Sequence, residues 1–308
     1  MRKKLTRALL ALSAAGFAAS GCGAEPPVQA NASATAMATI DAKPAVWKLS
    51  DADTTIYLFG SIHLLPEGVA WQTAPVKKAL GASKELVLET VLPEDQMVAA
   101  QAMMKLGISP NLPPLSERVP PEKRAVLAST IAESGLPPVF LDKLETWAAA
   151  LALLQVSFKR LGLDPARGVE SQLTADFKTA GKPVSGLEGF EEQLGFIDGL
   201  SEEAQRVFLN AALDDPAQTK LEFAKMLDAW TRGDVAGIAK SFDSETMLSG
   251  ELRTALMVKR NANWTKWIEA RMAKPGAVFI AVGAGHLAGA DSVIAMLAKD
   301  GVKAERVE

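Results

Sequence analysis

The stretch Ala277–Leu287, AVFIAVGAGHL, places six apolar residues directly before a glycine-rich turn and a histidine. A second stretch near the start of the chain, Thr55–Leu64 or TIYLFGSIHL, has the same order. Short, continuously apolar runs are typical of buried strands in parallel sheets. The sequence therefore predicts two buried strands, each followed by glycine, two further residues and a histidine.

The two histidines of these stretches, His63 and His286, are the only ones in the chain. Gly60 and Gly283 each stand three positions earlier, where glycine permits a tight turn as the strand ends. Open α/β sheets bind ligands beyond the carboxyl ends of their strands. We therefore expect the two imidazoles to converge on one site. The alternative for either histidine alone is a hydrogen-bonded residue of the core.

The pattern along the rest of the chain predicts an α/β fold with a central mixed sheet flanked by helices. Further strands are expected at Glu85–Glu89, at Lys182–Glu188 and at Val302–Val307, and a helical insertion or cap is expected over about 93–161. Proline, glycine and capping residues mark the other helix ends. Additional helices are predicted at 74–82, 168–180, 189–199, 201–213, from 215 towards 272, and at 291–299.

The first 22 residues have the pattern of a targeting segment, with basic residues before the short apolar stretch Ala8–Ala19. Cys22, the only cysteine, follows small residues, as in bacterial lipoprotein signals in which the cysteine is lipidated. Ordinary cleavage a few residues later is the alternative. Residues 23–44 then predict a flexible tether, and 45–308 the folded part. We expect a protein of the cell envelope on the periplasmic side, held on a membrane by its lipid or otherwise free.

The charge distribution disfavours nucleic acid as a partner. Four of the 33 basic residues lie within the first 22 positions and all 36 acidic residues lie beyond them, so the remaining chain carries a formal charge of −7. Nucleic-acid-binding domains are usually basic along one face. With a single cysteine, the chain also has no intramolecular disulfide.

Two neutral imidazoles and a carboxylate form a typical ligand set for a divalent cation. Glu89 is the first candidate acid, because it ends an apolar strand close to His63 in sequence. Glu188 also ends a predicted strand, and Glu170 follows a glycine at a predicted helix start, where the helix dipole alone favours an acid. A metal-bound water at such a site would hydrolyse an amide or ester without a nucleophilic side chain.

Other residues suggest roles in the same chemistry. Arg260 and Asn261, before Trp264, are candidates for stabilising an oxyanion, with a surface salt bridge and a polar cap as the alternative. Ser61 lies only two positions from His63, which is poor geometry for a nucleophile and its base. The chain contains no HExxH motif, so it is not a standard zincin, and it contains no GxSxG or GxxxxGK[ST] motif either. A Ser-His-Asp triad with Ser61 stays open as an alternative.

The ordered set of motifs resembles the TraB/GumN family, the bacterial relatives of the Tiki metalloproteases. It comprises two GxxH motifs near the chain ends, a strand-end glutamate at Glu89, the block Lys182–Gln193, and Arg260 and Asn261 with Trp264. The resemblance implies an erythromycin esterase-like α/β fold with the histidines and the glutamate in one cleft. It also implies a hydrolase that depends on a divalent cation (Mn, Co or Zn) and acts on peptides or on other amides or esters. The alternatives are a metal- or haem-binding lipoprotein without turnover and a catalytically inactive scaffold.

Overall fold

The computed structural model of the protein describes residues 39–242 and 250–307. The predicted signal, Cys22 and the tether up to residue 38 lie outside the described residues. The described strands are β1 (Ile40–Asp41), β2 (Val46–Ser50), β3 (Thr54–Ser61), β4 (Val69–Ala70), β5 (Glu85–Leu88), β6 (Val184–Gly186), β7 (Gly276–Gly283) and β8 (Glu305–Val307).

Helices supply most of the remaining structure. The described α-helices are α1 (Ala74–Ala82), α2 (Gln96–Gly107), α3 (Arg124–Ser134), α4 (Pro138–Asp142), α5 (Thr146–Arg160), α6 (Val169–Thr179), α7 (Phe190–Asp198), α8 (Glu202–Ala212), α9 (Pro216–Thr231), α10 (Val235–Phe242), α11 (Gly250–Arg253), α12 (Lys259–Met272) and α13 (Val293–Lys299). A π-helical turn, Thr254–Val258, joins α11 to α12, and a 3₁₀ turn, Ala284–Leu287, follows β7.

Six strands form one mixed sheet in the order β6-β5-β7-β3-β2-β8. β6, β5, β7 and β3 run parallel, whereas β2 is antiparallel to both β3 and β8. The two strands predicted from the histidine stretches are therefore direct neighbours at the centre. The predicted α/β class with a mixed sheet between helices is confirmed.

The strand register brings the ends of three neighbouring strands together. Ser61 of β3 lies opposite Gly283 of β7, and Leu88 of β5 lies opposite Ala281 of β7. Because the three strands are parallel, the residues that follow them emerge at the same edge of the sheet. This edge therefore receives both GxxH segments and Glu89.

Both faces of the central strands are buried, which explains their continuously apolar sequences. Ile280 packs with Ile268 and Leu297 of α12 and α13 on one face, and Phe279 packs into the larger cluster on the other. Alternate side chains of a strand point to opposite faces. A strand covered by helices on both sides therefore carries apolar residues at every position.

Several predicted boundaries differ from the observed ones. Ile40–Asp41 already pairs with β4, so the fold begins a few residues before the predicted start at Ala45. β2 was not predicted as a strand, because its sequence, VWKLS, is short and only partly apolar. The last strand is shorter than predicted, because the Val302 N–H caps α13 by donating to Leu297 O at 2.9 Å. No helix in the described ranges has the length and hydropathy needed to cross a bilayer.

The predicted block 93–161 is helical, with α2, α3, α4 and α5 between residues 96 and 160. Asp95 caps α2 by accepting from the Met97 N–H at 2.8 Å, so the helix begins after the predicted Pro93. α5 packs against α8 and contributes Trp147, Leu153 and other buried residues to the larger core cluster. This block is thus anchored to the rest of the fold through α5.

Candidate active site

The edge formed by β3, β5 and β7 brings together three of the predicted site residues. His63 Nε2 lies 3.9 Å from Glu89 Oε1, and His286 Nε2 lies 3.8 Å from the same oxygen. All three are buried: His63 is 6% exposed, Glu89 3% and His286 1%. Each imidazole therefore directs its Nε2 atom towards the same buried oxygen, Glu89 Oε1.

The Glu89 carboxylate is held in its ionised form by its neighbours. Oε1 accepts from the Gly283 N–H at 2.7 Å, and Oε2 accepts from Arg260 Nη2 at 2.7 Å. Burial would raise the pKa of Glu89, but Arg260, the two histidines and the Gly283 N–H lower it to about 2. Glu89 is therefore anionic at neutral pH, with Oε1 facing the histidines.

His63 is oriented by an acid from another element. Its Nδ1 lies 2.7 Å from Oε1 of Glu170, in the first turn of α6, and the same oxygen accepts a hydrogen bond from Ser61 Oγ. A carboxylate oxygen accepts, so His63 donates Nδ1–H to Glu170, and in the neutral ring the lone pair is on Nε2, the nitrogen that faces Glu89. Ser61 Oγ is thus hydrogen-bonded to Glu170.

The start of α6 is pressed against the first GxxH segment. The Val169 N–H donates to Ile62 O at 3.1 Å, and a Cβ at Gly168 would lie 2.1 Å from His63 O. Only glycine permits this approach of the two backbones. The contact fixes Glu170 relative to His63.

His286 is oriented by Asn261 of α12. Its Nδ1 lies 2.6 Å from Asn261 Oδ1, while Asn261 Nδ2 donates to Asp291 O at 2.7 Å. This second bond sets the orientation of the amide, so Oδ1 accepts from the His286 Nδ1–H. Burial lowers the pKa of His286 to about 3, with Arg260 and His63 acting in the same direction and Glu89 opposing them. His286 is therefore neutral at pH 7.

Arg260 lies between two buried acids. Its Nη2 lies 2.7 Å from Glu89 Oε2 and 2.5 Å from Glu188 Oε1, and its Nε donates to both oxygens of Glu188. Trp264 Nε1 also donates to Glu188, at 3.1 Å. Burial raises the pKa of Glu188, and the charge of Arg260 opposes this shift. Burial alone would lower the pKa of Arg260, but Glu89 and Glu188 raise it. Arg260 follows a π-helical turn, a feature often found at functional sites.

The arrangement differs from the predicted oxyanion role of Arg260 and Asn261. The guanidinium pairs with Glu89 and Glu188, and its Nη1 donates to Leu256 O at 3.2 Å and lies 3.4 Å from His286 Nε2. The Asn261 amide contacts His286 and Asp291. Both are positioning residues in this structure. The acids and the histidine that they contact could not be predicted, since these contacts join segments far apart in the chain. One signal that could have been used is the spacing of Arg260 and Trp264, because residues four apart on a helix share a face.

The donor chemistry suits a divalent cation, although the described residues contain no group of three or more His, Cys, Asp or Glu side chains arranged as a preformed metal site. Tetrahedral ligand atoms that share one ion at about 2.0–2.2 Å lie about 3.3–3.6 Å apart. The separations from Glu89 Oε1 to the two Nε2 atoms are 3.9 and 3.8 Å, so these donors would have to close by a few tenths of an ångström around an ion. A Cβ at Gly283 would lie 3.1 Å from Glu89 Oε1 and 3.4 Å from His63 Nε2, so glycine keeps the space between these donors open.

We predict that both histidines are Nδ1–H tautomers in the metal-free protein at pH 7.5. Because the chain has only two histidines, ¹⁵N-histidine labelling gives two ring systems, and a His63→Ala sample assigns them. Asn261→Leu should shift His286 towards the Nε2–H form and leave His63 unchanged, whereas Asn261→Asp, which keeps an acceptor for the ring, should keep a proton on His286 Nδ1. An Nε2–H form of either ring in the wild type would contradict this orientation.

The buried neutral His286 also predicts an acid-dependent loss of stability. Its pKa is about 3 in the fold against 6.5 for the free side chain, so the unfolded state takes up the proton first. The free energy of unfolding should be largest above pH 6.5 and fall towards pH 3, with a slope approaching about 1.4 kcal/mol per pH unit. Glu89, whose pKa is about 2 in the fold, adds to this loss of stability only below about pH 4.5, where the unfolded side chain takes up a proton. Urea unfolding between pH 7 and 5 measures the first contribution, and a His286→Gln variant with an unchanged slope would refute it.

Comparison with known proteins places the chain in a family. At 25% identity it is similar to the uncharacterized protein YbaP of Escherichia coli (strain K12), over 82% of this chain and 92% of the relative, and to YbaP of Shigella flexneri, over 78% and 87%. No solved structure matches the chain. The model of the TraB/PrgY/gumN family matches residues 45–306, nearly the whole folded part, and the chain therefore belongs to this family.

Proposed function

We propose that the protein is a metal-dependent hydrolase with the fold of the erythromycin esterase and Tiki class, acting on a peptide or another amide or ester. His63, His286 and Glu89 would hold one divalent cation (Mn, Co or Zn). The observation that carries the proposal is that both Nε2 atoms face one ionised carboxylate while both Nδ1 atoms are held by acceptors behind them. Metal-binding histidines usually have their second nitrogen bonded in this way.

The charges around the site are consistent with a bound cation. The Arg260 guanidinium pairs with Glu188 through both its Nε and its Nη2, and this acid supplies a charge to offset it in the buried cluster. Glu89 then offers Oε1, the oxygen that Arg260 does not bond, to the space between the histidines, and Arg260 Nη1 borders that space at 3.4 Å from His286 Nε2. A bound divalent cation would lower the pKa of a coordinated water and polarise a carbonyl oxygen.

The residues of the chain would contribute orientation and burial to this chemistry. Glu170 and Asn261 hold the two imidazoles in the tautomer that a cation requires, and Arg260 fixes the Glu89 carboxylate. The low exposure of these side chains shields their interactions from bulk water, where they would be weaker. The geometry favours a small ion over haem, since Glu89 lies within 4 Å of both imidazole Nε2 atoms.

We place this activity in the bacterial cell envelope, on the periplasmic side. The proposal rests on the basic and apolar pattern of residues 1–22 and on Cys22 as the lipidated residue. A lipid anchor of this kind holds a protein on a membrane surface without a spanning helix. The acidic folded part gives no reason to expect a nucleic acid as a partner.

Membrane fractionation of the full-length protein tests the anchor. We predict recovery in the membrane fraction, extractable only by detergent, and release into the soluble fraction in Cys22→Ser, because the substitution removes the thiol that would carry the lipid. The matched variant Ser20→Ala should fractionate as the wild type. Membrane recovery unchanged by Cys22→Ser would rule out lipidation at this residue.

Metal binding and turnover test the proposed reaction. After chelation and dialysis, the protein without residues 1–22 should bind one Mn²⁺, Co²⁺ or Zn²⁺ per chain, measured by calorimetry and elemental analysis. It should also cleave members of a peptide library only with metal present. His286→Ala and Glu89→Gln should each weaken metal binding by roughly 100-fold or more, because each removes a ligand.

Glu222→Gln is the matched control, since Glu222 is a buried acid of α9 outside the cluster. It should bind metal and cleave peptides as the wild type does. If the protein binds metal stoichiometrically but hydrolyses no amide or ester substrate, the proposed function changes from hydrolysis to metal binding. Absence of stoichiometric binding by any of the three ions would overturn the metal site itself.

A further inference from the structure

A deep groove in the helical block lies between α2, α3, α4 and α5, away from the residues of the candidate site. Its volume is about 730 Å³, within the range of small-molecule pockets. Its walls are largely apolar, with Met104, Ile108, Phe140 and Leu151 among them. Methionine side chains adapt readily to apolar ligands.

Several exposed apolar side chains line the groove. Of the ten large apolar side chains that are exposed among the described residues, eight lie between Leu92 and Phe140, and three of these, Met104, Ile108 and Phe140, line the groove. Met104 is 64% exposed and Phe140 is 46% exposed, and both line the groove. Clustered apolar exposure of this kind marks a binding surface more often than single exposed residues do.

The groove has an apolar end and a charged end. Along α5 its wall passes from Ala148 and Leu151 to Lys159 and Arg160 at the helix C-terminus. Arg160 is paired with Glu133, through contacts of 2.6 and 2.8 Å, whereas Lys159 forms no ion pair with any described residue. The charged end therefore offers one unpaired cation beside a neutralised pair.

The length of the groove suits a single alkyl chain. The 11 steps from Ala148 to Lys159 span about 17 Å at 1.5 Å per residue, so the apolar and charged ends are about that far apart. A chain that lies along α5 therefore brings a head group at its end to Lys159.

We propose that this groove binds the alkyl chain of a single-chain amphiphile with an anionic head group, such as a fatty acid. The chain lies along Leu151 and Phe140, and the head group pairs with Lys159. The proposal is independent of the metal site, because none of the residues that line the groove belongs to it.

Laurate, used below its micellar concentration, is the probe, with calorimetry on the protein lacking residues 1–22. We expect saturable binding of one laurate per chain and weaker binding of dodecyltrimethylammonium, which has the same chain and the opposite charge. Ala152→Phe and Ala100→Phe, which place a ring in the groove from α5 and α2, should each weaken laurate binding by roughly tenfold or more. Lys159→Glu should weaken it by about five- to tenfold and remove the preference for the anion.

Matched controls are Ala270→Phe on the exposed side of α12 and Lys299→Glu in the last turn of α13, and both should bind as the wild type does. If Ala152→Phe or Ala100→Phe no longer unfolds cooperatively in urea, the other of these two variants is used in its place. Absence of saturable laurate binding by the wild type would overturn the proposal. Laurate binding that is unchanged in Ala152→Phe and Ala100→Phe, where these variants fold, would overturn it as well. If the wild type binds no laurate but forms a dimer, and Met104→Glu abolishes the dimer, the surface would be assigned to a second copy of the chain instead.

Discussion

The buried carboxylate of Glu89 is the interaction on which the arrangement of the site depends. It accepts the Gly283 N–H from β7 and the Arg260 guanidinium from α12, and it faces both histidines. An isolated carboxylate at this depth would be strongly disfavoured, so the fold must supply these partners. Arg260 in turn requires Glu188, which ties the end of β6 into the same cluster.

The sheet topology makes this convergence possible. The chain visits β3, β5, β6 and finally β7, but β7 inserts between β3 and β5. The last strand therefore delivers the second GxxH segment beside the first one and beside Glu89. The remaining segments act as supports, since α6 brings Glu170 to His63 and α12 brings Asn261 to His286. The site is complete only when the last third of the chain has packed against the first.

The sequence predicted the elements of the site better than the contacts between them. The two histidine strands were recognisable because both their faces are buried, and Glu89 because it ends a third such run. The positions of Glu170 and Asn261 were unpredictable for a physical reason: their partners lie 107 and 25 residues away in sequence, and only tertiary packing brings them together. The strand β2 escaped prediction because strand propensity is weak in a short, partly polar segment.

The most direct test of this account is the anomalous scattering of a crystal grown with Mn²⁺. The account predicts one strong peak with His63 Nε2, His286 Nε2 and Glu89 Oε1 all about 2.0–2.4 Å from it. It also predicts that Glu170 and Asn261 still hold the two Nδ1 atoms. A peak bound by other residues, or imidazoles that point away from Glu89 in a crystal saturated with the ion, would contradict it.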